Sequence, residues 1–175
     1  MDIRDEHHAW PPICAAVGQT IASVFKVYNV LHGEIDEESF YGLQIAFVSK
    51  EILLLEGGKA GEWLRAKNTA YEDRFAGRTD KNALDYQEEF GYRMLIDISN
   101  REMFSEIIGQ RVQAVYPIKS TLNALSGAQF EIGRITFSLV FVWDELFTLW
   151  DKGDPAFETM KVLVDYAQGC KANSA

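Results

Sequence analysis

Prolines punctuate the two ends of this chain and leave its middle alone. Pro11 and Pro12 stand near the start, Pro117 and Pro155 lie in the C-terminal part, and the 104 residues between Pro12 and Pro117 contain no proline. Proline costs about 3 kcal/mol inside a helix and removes a ladder hydrogen bond inside a central strand. The middle of the chain can therefore run through long regular elements, and periodicity and caps must decide which kind.

Helical spacing recurs along the chain. Ile13, Val17, Ile21, Val24, Tyr28 and Leu31 form one stripe that begins at the Pro11-Pro12 pair and stops at Gly33. Asp36 stands as a cap before a second segment ending at Gly57-Gly58, with Glu37 and Glu38 in its first turn, where the helix dipole favours acids. A charged third segment spans about 60–76 and closes at Gly77. Asp80 or Thr79 opens a fourth that reaches about Ile98, although the short apolar run Tyr92–Ser99 is also compatible with a strand. Ser99-Asn100-Arg101-Glu102 has the form of a capping box ahead of a helix ending at Pro117, and a short helical turn is expected over 118–125.

The most apolar stretch follows. Ser126-Gly127-Ala128-Gln129 offers a second capping box, after which Ile135, Leu139, Val142, Leu146 and Leu149 share a helical face opposite Arg134, Ser138, Glu145, Thr148 and Lys152. Ile135–Leu139 also alternates as a strand would, but the run Val140–Trp143 breaks the alternation. Asp154-Pro155 is a cap followed by a first-turn proline, opening a last helix. The expected fold is a single all-α domain over 1–175: a bundle of six or seven helices around a central apolar helix near 130–150, frayed at 1–9 and 171–175.

Composition fits one globular core: 175 residues, 47 % apolar and 25 % charged. The net charge of −9 is uneven, with −6 over residues 1–58, +2 over 59–81 and −5 over 82–175. An acidic chain repels phosphate backbones, which disfavours non-specific nucleic-acid binding. The N-terminus carries the wrong charge for a signal peptide, and no 18-residue apolar run occurs. Cys14 and Cys170 are too few for a disulfide framework. A bridge between the chain ends is geometrically conceivable, but free thiols in a reducing compartment are the favoured expectation, and with them a cytoplasmic location.

The equipment for catalysis is sparse. His7, His8 and His32 are the only histidines, none preceded by Glu at the spacing of a di-iron site, and no Cys-x-x-Cys pair exists. Glu34-Ile-Asp-Glu37 matches half of an all-carboxylate magnesium site, but no Glu-x-x-Asp follows on the next segment. Gly57–Gly61 lacks the spacing of a phosphate loop, and there is no Gly-x-Ser-x-Gly. No metal or cofactor is expected.

Two functional expectations remain. The first is a small acidic intracellular protein of the immunity, antitoxin or anti-defence kind, which binds a protein partner and neutralises or regulates it. Glu34, Asp36, Glu37 and Glu38 would steer it to a basic surface, Trp63 or Trp10 would anchor it, and no membrane is involved. The alternative is a helical enzyme or ligand-binding domain with an aromatic pocket of Phe137, Phe141, Asp144 and Trp150, Asp144 being the odd carboxylate on an apolar face. Self-association as a homodimer is compatible with either.

Overall fold

The computed structural model describes residues 6–37, 40–58, 63–75, 77–101, 103–119, 125–142, 145–151, 156 and 164–172. Those residues fold into two antiparallel β-sheets with three short helices, which overturns the all-α bundle. Helix α1 spans Glu6–Ala15. The first sheet contains β1 (Ile21–Leu31), β2 (Glu34–Ile35), β3 (Gly42–Phe47), β4 (Ile52–Gly57), β5 (Leu64–Lys67) and β6 (Tyr92–Asp97). Helix α2 (Lys81–Phe90) precedes β6, and α3 (Phe104–Ile107) leads into the second sheet. That sheet is the meander β7 (Val112–Lys119), β8 (Leu125–Ile132), β9 (Ile135–Val142) and β10 (Glu145–Trp150), with β11 (Cys170–Lys171) added along β7.

Strand β1 is the hub of the first sheet. Residues 25–27 pair with β3 and with β6, and Val30 pairs with both Ile35 of β2 and Tyr92 of β6. The strands β2 and β3 therefore share one edge of β1, and β6 takes the other. From β3 the sheet continues through β4 to β5. The two sheets meet where Thr20 bridges Arg111 and where Phe40 bridges Leu146.

Pleating sorts the side chains. Leu43, Ile45, Leu53, Leu55 and Leu64 of the first sheet meet Ala128, Phe130, Ile132, Phe137, Leu139 and Leu146 of the second in one continuous core. The second sheet is also covered on its far side, where Ala114, Tyr116, Ile118 and Val140 pack with Val164 of the C-terminal segment. Strand β8 is consequently buried on both faces from Leu125 to Phe130. A strand covered on both sides has no reason to alternate apolar with polar residues. For this reason the stretch expected to be a central helix near 130–150 is instead β8, β9 and β10, and Ser126–Gln129 lies inside a strand rather than capping a helix.

The other helical expectations fail at specific stops. Helix α1 ends at Ala15, Gly18 adopts φ 87°, and the rest of the stripe to Leu31 is strand β1. The second expected helix, from the Asp36 cap onward, is β3 and β4, with Lys50 at φ 73° in the turn between them. Ser99 caps no helix; its hydroxyl accepts from Val24 N–H at 2.9 Å. The fourth segment is half right. Asp80 caps α2 by accepting from Ala83 N–H, and Gly91 ends it at φ 78°, after which the chain becomes β6. Of the expected turn over 118–125, Ile118 and Lys119 end β7 and Leu125 opens β8, while residues 120–124 and most of the last helix fall outside the described residues.

Cys14 and Cys170 are joined by a disulfide, contrary to the expectation of free thiols. Their Cα atoms stand 5.6 Å apart, within the span a disulfide bridges. The bond ties α1 to β11. Among the described residues no helix is long and apolar enough to cross a membrane.

Candidate interaction surface

The acidic run expected to meet a partner is carried by the β1–β2 hairpin. His32 and Gly33 form its two-residue turn with φ 53° and 83°, the double positive φ of the tight turns that suit twisted strands. Leu31 pairs with Glu34 and Val30 with Ile35, and Asp36 N–H donates to Asn29 carbonyl at 3.1 Å. Every residue from Leu31 to Glu37 is exposed. Glu34, Asp36 and Glu37 are thus held on a fixed backbone beside two exposed apolar side chains, Leu31 and Ile35. Arg101 lies 3.8 Å from Glu37, a surface pair of small energetic weight. Glu38 lies outside the described residues.

Trp63 stands elsewhere. Its carbonyl accepts from Gly58 N–H at 2.7 Å, its ring packs over Gly58, and it is half-buried. Trp10 is likewise partly buried, against the main core. The aromatic set Phe137, Phe141 and Trp150 occupies the space between the sheets. Phe137 is fully buried, stacked on Phe130 at 5.0 Å and tilted against Trp150 at 5.1 Å, while Phe104 meets Trp150 edge-on at 5.0 Å. Phe141 packs against Gly57, whose missing side chain makes room for the ring. Asp144 lies outside the described residues.

A second surface has no counterpart among the sequence expectations. The chain between β5 and β6 lies across the outer face of the first sheet, where Tyr71 N–H donates to the buried Gln44 side chain at 2.7 Å. On it Phe75 stacks with Tyr86 at 4.6 Å and Tyr86 meets Phe90 at 4.9 Å. Arg74 caps the Phe75 ring at 4.6 Å, and on the adjoining strand Arg93 lies 4.2 Å from the centre of Tyr41. Burial pushes the Tyr71 phenol up to about 12, with help from the neighbouring Asp73 carboxylate. Arg78, bonded to Asp80 at 2.8 Å, holds that carboxyl below its ordinary range. The trace of this arrangement in the sequence is the basic island at 59–81, of which Arg74 and Arg78 lie on the Phe75 ring. Lys26 is similarly engaged, 4.2 Å above Phe40 at the rim of the aromatic core.

Among the described residues no three His, Cys, Asp or Glu side chains come together as a metal site requires. No protein-family profile, curated protein or solved structure matches the chain significantly.

Proposed function

We propose that the protein is an interaction module that binds a protein partner through the β1–β2 hairpin and neutralises or regulates it by occlusion. The observation that carries this reading is the hairpin itself. A rigid two-residue turn presents Glu34, Asp36 and Glu37 together with Leu31 and Ile35, and all five are exposed. Acidic groups at such a tip raise the rate of encounter with a basic surface, and the adjoining apolar side chains supply area to bury once contact is made. Preorganisation matters as well, because a hairpin already in its bound shape loses little entropy on docking.

The Cys14–Cys170 bond supports a setting in which disulfides persist, against the cytoplasmic location that rests on the cysteine count.

The test is site-specific photo-crosslinking from position 35 in the native host, with and without Glu34→Lys plus Glu37→Lys. The expected result is one dominant crosslinked protein, captured less as salt rises and lost in the charge-reversed variant. A crosslinking pattern indifferent to both salt and charge reversal would overturn the proposal.

A further inference from the structure

The edge of the first sheet at β6 carries a pattern that the hairpin reading does not use. Among the described residues, β6 pairs with β1 alone. The direction of its backbone groups follows from the register. Ile98 N–H donates to Val24 carbonyl at 2.9 Å, and the same parity pairs Ile96 with Lys26, Met94 with Tyr28 and Tyr92 with Val30. On the other side of β1, Asp36 N–H and Tyr41 N–H donate to the odd residues Asn29 and Val27. In an antiparallel ladder the intervening residues point their N–H and C=O groups the other way. The N–H and C=O groups of Arg93, Leu95 and Asp97 are therefore directed at the open edge of the sheet.

This edge lacks the usual protections, since it has no proline, no bulge and no central charge. Its sequence, Arg93-Met94-Leu95-Ile96-Asp97, is symmetric in character about Leu95: opposite charges at the ends and apolar residues between. Arg93, Leu95 and Asp97 share the outer face, while Ile96 packs towards the core. The charged ends are exposed and the three middle residues are half-buried.

We propose that the β6 edge pairs antiparallel with the β6 edge of a second copy of this chain, with Leu95 on the two-fold axis. In that register Arg93 faces Asp97 of the other copy twice, and Met94 faces Ile96 twice. The outward backbone groups of Arg93, Leu95 and Asp97 then exchange hydrogen bonds, as the parity requires. Sliding by two residues keeps the hydrogen bonds but sets Leu95 against a charge and loses both ion pairs. The edge thus specifies one register and one partner, and a twofold contact of this kind is self-complementary by construction. The two first sheets join into one through the pair of β6 strands.

The experiment is sedimentation equilibrium of four proteins: wild type, Arg93→Asp, Asp97→Arg and the double exchange. Wild type and double exchange are expected to dimerise. Each single variant places like charges opposite one another twice and should bind itself at least about tenfold more weakly. An equimolar mixture of the two singles should recover a heterodimer, because mixing them restores opposite charges at both contacts between positions 93 and 97. Amide hydrogen exchange on the wild type gives a readout that needs no variant to fold. Protection at Arg93, Leu95 and Asp97 should rise with protein concentration, while that at Met94 and Ile96 stays constant. A wild type that remains monomeric at its highest soluble concentration overturns the proposal. So does a dimer that neither single variant weakens, or one whose edge amides ignore concentration.

Discussion

The two sheets bury the same kind of strand to very different depths. The second sheet is covered twice, by the first sheet inside and by the C-terminal segment outside, where Tyr166 meets Tyr116 edge-on at 4.9 Å and donates to Gln129. Gln129 in turn donates to the fully buried Ser138. The first sheet shares the inner core, but its outer face has a looser cover and its β1–β2 and β6 edges stay open among the described residues. Of the ten exposed large apolar side chains among those residues, only Phe147 and Tyr166 belong to the second sheet or its cover, and the other eight lie on the first sheet and the segments attached to it. Stability and availability for contact have thus been divided between halves of one core. The proposed partner contact and the self-pairing both fall on the less covered half for the same physical reason.

The largest expected effect breaks the link between the halves. The disulfide joins α1, which packs beside β5 of the first sheet, to β11 on the rim of the second, across 156 residues of sequence. Closing so long a loop restricts the unfolded chain by about 5 kcal/mol in the chain-entropy account. Replacing both cysteines by serine, or reducing the bond, should lower the urea midpoint strongly and detach β11 first. Hydrogen exchange should then show Cys170 and Lys171 opening before β8 and β9.

A second pair of variants sharpens the contrast within the fold. Phe137→Ala removes a fully buried ring stacked on Phe130 and tilted against Trp150, and should cost about 3–5 kcal/mol. Tyr86→Ala removes a ring of similar size from the cover of the first sheet, where it is 36 % exposed, and should cost less than about half as much. Urea unfolding of the two variants side by side measures the difference. Equal costs would mean that the cover is as firmly packed as the core.

The sequence showed the apolar positions of this fold but misassigned their geometry, and the reason lies in particular strands. In β8 and β9 both faces are buried, so Val140 and Phe141 are both apolar and the period-two signal disappears. Helical spacing then fits by default, since a dense apolar run satisfies every period. The hairpin was legible as a cluster of acids but not as a hairpin, because His32 at φ 53° supplies a turn that the sequence signals only through Gly33. Asp80 and Gly91 were legible as a cap and a stop because each acts through local backbone chemistry. The β6 edge was visible only as an ambiguity over Tyr92–Ser99, since the exposure of an edge depends on which strands arrive beside it. The cysteine pairing was equally non-local.

The smallest expected effect concerns the cover of the first sheet alone. Burial and Asp73 raise the Tyr71 phenol from the usual 10 to about 12, so the folded chain keeps this proton at a pH where the unfolded chain has lost it. The associated stability is complete below pH 10 and is lost as pH climbs through about 12. Tyr71→Phe abolishes the titration and should make the urea midpoint fall less steeply across that window. Tyr116, raised by burial and by Glu131, supplies the corresponding group beneath the cover of the second sheet. If the first cover opens independently, Tyr71 ionises while the near-ultraviolet signal of the Phe130–Phe137–Trp150 core is still native. Tyr116 should then ionise only when that signal collapses. Simultaneous ionisation of both phenols would show that the two covers are equally tight, and the division between the halves would stop at the open edges.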